Sequence, residues 1–182
     1  MPRCPHLAPP SPQQGFTLLE ILVVMLLLSI LVAGAVLSIG DGGRADRLEQ
    51  EARRLQQLIN LASDESILQS WESGVMLHQQ GYQFARYQAE GWQLIDDPML
   101  RPRQLPEDMV LELHMDELLI PLPLSEAHFQ EQAQSPQLLL FSSGERSPFE
   151  LVLAYRDPPE LAFRLYSPML GPIRLEREAG PW

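Results

Sequence analysis

Residues 15–39 read GFTLLEILVVMLLLSILVAGAVLSI, and this stretch indicates how the chain is built. From Phe16 to Ile39 there are 24 residues with one charged side chain, Glu20. An α-helix rises about 1.5 Å per residue, so about 20 apolar residues cross the core of a bilayer. We therefore predict a transmembrane and assembly helix over 16–39. An ordinary secretory signal peptide does not fit, because the apolar run is too long and no small-x-small cleavage site bounds it.

Glu20 is the unusual residue of this helix. A carboxylate inside a membrane segment costs roughly 2.5–3.5 kcal/mol on insertion scales, so it needs a partner. Cleavage after Gly15 would give Phe16 a free amino group one helical turn from Glu20. In an assembly, the terminal ammonium of a neighbouring subunit would then neutralise Glu20 and set the register between subunits. The preceding residues 1–15 contain five prolines and predict an extended, unfolded leader peptide.

The hexapeptide GFTLLE (15–20), followed by an apolar helix, resembles the class III signal of type IV prepilins and type II secretion pseudopilins. The resemblance implies leader cleavage between Gly15 and Phe16 by a prepilin peptidase, N-methylation of Phe16, and a role for Glu20 in subunit assembly. It also implies a single-pass inner-membrane protein with its C-terminal domain in the periplasm. The alternative is an ordinary membrane anchor with a chance glutamate.

The distribution of arginine favours the opposite orientation in the membrane, with the C-terminal domain in the cytoplasm. Only Arg3 precedes the helix, whereas Arg44, Arg47, Arg53 and Arg54 follow it, and the positive-inside rule places the richer side in the cytoplasm. We give the leader motif precedence because a dedicated peptidase reads it.

Residues 40–73 are predicted to form a hinge and an amphipathic continuation helix. Gly40-Asp41-Gly42-Gly43 interrupts the apolar pattern. Apolar residues then recur every three or four positions, as on one face of a helix, at Leu48, Ala52, Leu55, Ile59 and Ala62. Arg47, Glu51 and Arg54 are predicted on the outer face, and Glu49 is predicted to pair with Arg53.

Residues 74–182 are predicted to form a periplasmic β-rich domain, because the apolar period changes to two after Gly74. The predicted strands are Val75–His78, Tyr82–Tyr87, Trp92–Ile95, Met109–His114, Leu138–Phe141, Phe149–Tyr155 and Leu161–Tyr166, with Ile173–Leu175 as a last edge strand. The ranges 96–108 and 116–136 are predicted to be loops.

The net charge of the chain indicates whether nucleic acid is an expected partner. The 182 residues carry 13 arginines, no lysine and 24 acidic residues, so the formal net charge is −11. Phosphate groups repel such a chain, and no nucleic-acid partner is expected. Arg101 and Arg103 are the only close basic pair outside the helix. The single cysteine, Cys4, lies in the leader and permits no intramolecular disulfide.

No pattern of catalytic, metal or cofactor residues stands out. His78, His114 and His128 are far apart and lack an H-E-x-x-H arrangement. Asp96-Asp97 does not supply the six or more oxygens that calcium requires. Ser142-Ser143 has neither a G-x-S-x-G elbow nor a histidine partner. We expect no catalytic residue, no metal site and no cofactor, so the protein is predicted not to be an enzyme.

Several later segments resemble H-type minor pseudopilins (general secretion pathway protein H), whose domain FimT/FimU-like minor pilins share. They are the stretch 47–70, GYQF (81–84), WQLIDD (92–97), LRPR (100–103) with Leu105-Pro106, LFSSGE (140–145) and PFEL (148–151). The resemblance implies an α+β, pilin-like fold with a long N-terminal helix packed on antiparallel β-sheets. Glu20 argues against a K-type subunit, and residues 171–182 lack the Asp/Asn-rich calcium loop of the G type.

The predicted function is that of a minor pseudopilin at or near the tip of the periplasmic pseudopilus, which promotes export of folded proteins across the outer membrane. Expected partners are the I-, J- and K-type minor pseudopilins, the major pseudopilin, the prepilin peptidase, the inner membrane and, as a further candidate, secreted cargo. The alternative is a minor pilin of a type IV pilus, acting in pilus assembly or DNA uptake.

Overall fold

The computed structural model describes residues 18–124, 135–157 and 161–179, without the side chains of 33–42 and of Ala179. The chain divides into two compact units between Gly42 and Gly43. The described part of the first unit is helical, and the second unit contains the remainder of the same helix together with the strands.

Helix α1 runs from Leu18 to Gln69. It continues through residues 40–43, where the sequence predicted an interruption. Glycine costs about 1 kcal/mol relative to alanine in a helix interior, yet it can adopt helical dihedrals, and Arg44 and Ala45, which follow, are good helix formers. The helix ends where Ser70 adopts a φ of 55° and the Trp71 amide donates to Ser66 O at 3.2 Å, as in a Schellman cap.

The strands form two antiparallel sheets. In chain order they are β1 (Ser73–His78), β2 (Gly81–Gln88), β3 (Gly91–Leu94), β4 (Arg103–Gln104), β5 (Met109–Met115), β6 (Leu118–Ile120), β7 (Leu138–Leu140), β8 (Phe149–Tyr155), β9 (Leu161–Ser167) and β10 (Arg174–Ala179). The first sheet has the order β3-β2-β1-β7, with β4 paired to the start of β2. The second has the order β10-β9-β8-β5-β6.

The predicted α+β class, with a helix packed on antiparallel sheets, is confirmed. The eight predicted strands are present, although β10 begins one residue later than predicted and extends to Ala179. Two short strands were missed, β4 in the predicted loop 96–108 and β6 in the predicted loop 116–136. The hairpin to β6 turns at Asp116 and Glu117, which have φ values of 50° and 66°. Asp-Glu is a poor signal for such a turn, because Asn-Gly and Asp-Gly are the usual choices.

One hydrophobic core joins the second half of α1 to both sheets. The predicted helix stripe is buried, with Leu48, Ala52, Leu55, Ile59 and Ala62 each at most 1% exposed. The same cluster contains Val75, Leu77 and Phe84 of the first sheet and Leu111, Leu151 and Leu165 of the second. Fully burying a side chain of this size contributes about 1.5–3 kcal/mol, so the stripe holds the helix to the sheets.

The outer face of this part of the helix differs from the prediction at one residue. The Glu51 side chain is only 15% exposed and forms an ion pair with Arg103 of β4. Its assignment to the solvent face was therefore wrong. The predicted pair of Glu49 and Arg53 is present, with Arg53 Nη2 2.6 Å from Glu49 Oε1.

Candidate assembly and docking surfaces

The first candidate surface is the apolar segment, residues 18–32 of α1. Every large apolar side chain from Leu18 to Val32 is between 44% and 83% exposed. A helix that is apolar on all sides is normally covered by other helices or by lipid. Among the residues that the structure describes, no helix is both long and apolar enough to cross a membrane.

Polar groups are sparse in the apolar segment. The Ser29 hydroxyl donates to Met25 O at 2.7 Å, so the helix itself satisfies it. Glu20 lies in the first turn of α1, where the positive end of the helix dipole favours a carboxylate. Two of the three predicted site residues, Gly15 and Phe16, lie outside the described residues. Of the three, the structure therefore places Glu20 alone.

In the second unit, a charged contact joins the helix to the short strand β4. Arg103 donates from Nη2 to Glu51 Oε1 at 2.9 Å and from Nε to Glu51 Oε2 at 3.2 Å. Arg54 Nη1 also donates to Glu51 Oε1, at 3.2 Å. The hydrogen bond to Glu51 raises the pKa of Arg103. Because Arg103 is paired with Glu51, Arg101 is the exposed residue of the predicted basic pair.

A second contact fixes the start of this unit's helix to the second sheet. The Tyr155 hydroxyl donates to Arg44 O at 2.8 Å, and the Arg44 guanidinium lies 4.2 Å from the centre of the Tyr155 ring. Arg44 Nη2 donates to Asp157 O at 3.0 Å. Burial and the charge of Asp108 raise the pKa of Tyr155.

The outer face of the second sheet carries an ion-pair network across three neighbouring strands. Arg164 on β9 is shared between Glu150 on β8, at 2.7 Å, and Glu178 on β10, at 2.6 Å. His114 Nε2 lies 3.8 Å from Glu112 Oε2 on the same strand. Within 18–124, 135–157 and 161–179, no group of three His, Cys, Asp or Glu residues is arranged to hold a metal ion.

Three residues considered above for metal binding or catalysis belong to the packing and hydrogen bonding of the domain. They are His78, Asp97 and Ser142. His78 is buried at 2% exposed, and His128 lies outside the described residues. Asp97 Oδ1 accepts from the Met99 amide at 2.6 Å and closes a turn. The Ser142 hydroxyl donates to Glu72 Oε1 at 2.9 Å and ties its loop to the segment between α1 and β1.

The comparisons with known proteins agree with these features. Residues 10–36, which include the apolar segment, match the family described as the prokaryotic N-terminal methylation motif. The type II secretion system protein H of Pseudomonas aeruginosa is 38% identical over 157 residues, covering 85% of this chain and 90% of that protein. The chain belongs to the type II secretion system protein H family. The Aeromonas hydrophila member is 34% identical over 152 residues, covering 80% of this chain and 82% of that one.

The fold of this family member is also shared with a solved structure. The crystal structure of the minor pseudopilin EpsH from the type II secretion system of Vibrio cholerae superimposes with a TM-score of 0.61 at 26% identity. The superposition covers 76% of this chain and 98% of that one. The predicted recognition as an H-type minor pseudopilin is therefore confirmed. The relatives are named as components of a secretion system and not as enzymes.

Sequence reasoning missed the contacts that organise the domain surface of this pseudopilin. Glu51 and Arg103 are 52 positions apart, and the helical pattern placed Glu51 on the solvent side. Arg146 was not singled out, although it follows the turn Ser142–Glu145 and is 8% exposed. No local signal marked it, because it follows the polar turn sequence SSGE (142–145) and precedes Ser147 and Pro148, where an arginine is normally exposed.

Proposed function

We propose that this minor pseudopilin lies at or near the tip of the periplasmic pseudopilus and promotes the export of folded proteins across the outer membrane. The observation that carries the proposal is the exposed apolar segment. Its large apolar side chains are exposed on all sides, so it needs a covering of lipid or of other helices. Family membership supports a covering made by other pseudopilins in an assembly and by lipid before assembly.

Residues 16–39 form the span through the inner membrane in this proposal, and 74–182 lie in the periplasm. Residues 40–73 connect the two, and 1–15 are the leader removed by the prepilin peptidase. The segment 16–39 has one charged residue and enough length for a bilayer core. The motif match over residues 10–36 supports cleavage between Gly15 and Phe16 and N-methylation of Phe16.

Glu20 sets the register of assembly. After cleavage, its carboxylate is one turn from the new amino terminus, and a neighbour's Phe16 ammonium can approach it within the helix bundle. Leaving either charge unmatched in an apolar bundle is strongly unfavourable. The partners are the major pseudopilin and the I-, J- and K-type minor pseudopilins, with secreted cargo as a further candidate. The protein performs no catalysis.

Deleting the gene and scoring two outputs tests the function. We expect release of secreted proteins into the medium to fall while surface pili and twitching motility stay intact. Loss of pili with secretion intact would contradict the proposal and favour a type IV minor pilin. Loss of neither output would contradict both functions.

Replacing Glu20 tests the assembly step separately. Glu20→Ala should leave membrane insertion and leader cleavage intact and should reduce co-purification with the other pseudopilins. Glu20→Asp is the matched control, because it keeps the charge on a shorter side chain and should retain part of the assembly. Normal co-purification of Glu20→Ala would refute the charge pairing. Efficient cleavage of a bulky Gly15→Leu variant would refute the cleavage site.

A further inference from the structure

Arg146 is a charged side chain buried in the domain. The residue is 8% exposed, and its Nε and Nη1 atoms are buried and make no hydrogen bond to any residue that the structure describes. Burial lowers the pKa of its guanidinium, and the negative charge of Asp64 opposes that shift. Arginine remains protonated in proteins, so the domain holds a desolvated cation with unused donors. Such a group is strongly destabilising unless an anion binds it.

Asp64 does not fill this role. It lies on an exposed part of α1, and no ion pair among the described residues joins it to Arg146. Its effect on Arg146 is therefore that of a nearby charge that is not hydrogen-bonded to it.

The backbone fixes the position of Arg146. Its amide donates to Met169 O at 3.0 Å, and the residue also forms an isolated antiparallel bridge with Leu140. These contacts connect the loop after β7 to the loop after β9. The backbone at Arg146 is thus held in place before any partner arrives, which reduces the backbone entropy lost on binding.

Exposed apolar side chains lie around this point. Met169 and Leu170, in the loop that accepts the Arg146 amide, are 54% and 61% exposed. Ile67 approaches the turn before Arg146, because its Cδ1 would be 3.5 Å from a Cβ at Gly144. Ile67 and Leu68 are 45% and 79% exposed and stand three and four residues after Asp64, on one helix face.

A buried arginine among exposed apolar side chains has the composition of an interface hot spot. Nε and Nη1 are buried in the free domain, so docking requires the side chain to turn outward, a rotamer change that is common at interfaces. The guanidinium then offers a planar fork of donors that matches a carboxylate. We propose that the Arg146 surface, formed by Arg146, Ile67, Leu68, Met169 and Leu170, docks a neighbouring pseudopilin subunit. An Asp or Glu of that subunit, flanked by apolar side chains, binds Arg146. This inference rests on the proposed function and names the chemistry of one of its contacts.

Site-specific photocrosslinking in cells that make the whole secretion system tests the contact. A photoreactive amino acid replaces Leu170 in the full-length protein, with Arg146, Arg146→Met or Arg146→Lys in the same chain. A probe at Leu94, which is 51% exposed on β3 in the first sheet, is the matched control.

From Leu170, we expect a crosslink to another pseudopilin at a peptide that contains Asp or Glu. Arg146→Met should lower its yield about tenfold or more, and Arg146→Lys should retain part of it. Crosslinks from Leu94 should not depend on residue 146. Arg146→Glu combined with reversal of the identified acidic residue to Arg should restore the crosslink.

Thermal unfolding of the full-length protein in detergent separates docking from folding. Arg146→Met should unfold at the same or a higher temperature, because it removes a desolvated charge and keeps the apolar stem. A clearly lower unfolding temperature would make Arg146 a structural residue and overturn the inference. Crosslinks that survive Arg146→Met, or that map to a secreted protein, would also overturn it.

The outcomes distinguish this inference from the proposed function. If the crosslink from Leu170 does not change when Arg146 is replaced, while secretion still requires the gene, the inference is overturned and the proposed function stands. Crosslinks that depend on Arg146 but map to a type IV pilus subunit would overturn the proposed function and, with it, the named partner.

Discussion

Glu51 of the helix and Arg103 of β4 are joined by two hydrogen bonds, of 2.9 and 3.2 Å, through the two oxygens of one carboxylate. Their side chains are 15% and 31% exposed, so the pair is partly shielded from water. Such charge-assisted bonds are stronger than those between neutral groups. The contact fastens the two-residue strand β4, which has few other bonds, to the face of the helix.

We expect this pair to contribute measurably to stability. Glu51→Gln and Arg103→Gln should each lower the free energy of unfolding by about 1–2 kcal/mol. A double-mutant cycle, measured by urea unfolding of the full-length protein in detergent, should give a coupling near 1 kcal/mol. The control is the more exposed pair of Glu49 and Arg53, whose coupling should stay below about 0.5 kcal/mol. Equal couplings for the two pairs would contradict the argument.

Tyr82 should make stability fall at high pH. Burial raises its pKa to about 12, while Arg103 and Arg54 oppose the shift and Glu51 adds to it. Tyrosine in an unfolded chain titrates near pH 10. The stability is therefore fully present below about pH 10 and is lost as pH rises to about 12, by on the order of 2 kcal/mol.

Urea unfolding between pH 8 and pH 12 checks this expectation. Tyr82→Phe should reduce the loss, with the remainder partly due to Tyr155, whose pKa is also raised. At neutral pH the variant should be at least as stable as the original, because the buried Tyr82 hydroxyl makes no hydrogen bond within the described part of the chain. An unaltered profile in Tyr82→Phe would contradict the assignment.

Gly81 should not tolerate a side chain. A Cβ there would lie 2.3 Å from Arg103 O and 2.7 Å from His78 Cε1, so the pairing of β2 with β4 must move apart. We expect Gly81→Ala to destabilise the protein by about 1–3 kcal/mol. Gly43→Ala is the contrast, because nothing lies within 4 Å of its Cβ and the residue is helical. It should be neutral or stabilising by up to about 1 kcal/mol, and thermal unfolding distinguishes the two.

Two isoleucines of the same helix should separate folding from docking. Ile59 is fully buried, so Ile59→Ala should cost about 2–5 kcal/mol of unfolding free energy. Ile67 is 45% exposed, and Ile67→Ala should change stability by less than about 0.5 kcal/mol. If Ile67→Ala unfolds as easily as Ile59→Ala, then Ile67 belongs to the core and not to a free surface.

The parts of the fold that depend on short-range patterns were predictable from sequence. The stripe from Leu48 to Ala62 follows helical spacing, and all five of its members are buried. The alternation in Met109–His114 likewise gave β5 its buried face, with Met109, Leu111 and Leu113 each at most 1% exposed. One buried face repeated at a constant period is a strong signal.

The parts that depend on distant pairings were not predictable. The order of the strands places β5 between β8 and β6, and no local pattern encodes that choice. Glu51 has the spacing of a solvent-facing residue, and that spacing does not reveal its contact with Arg103, which is 52 positions away. The burial of Arg146 likewise depends on distant segments, because the loop after β7 and the loop after β9 meet where its amide donates to Met169 O. Gly15 and Phe16 were assigned from their motif, and that assignment remains a prediction.

The shared core has a consequence for biosynthesis. Leu48 belongs to the same cluster as Leu165, so in the proposed periplasmic topology the helix stripe is completely covered only after β9 has been made and moved to the same compartment. Contacts of such sequence separation form late, because a long loop must close first. A molecule halted partway through translocation would therefore expose its helix stripe. Chaperones that bind apolar surface, and proteases that act on unfolded chains, then have a window set by the rate of translocation.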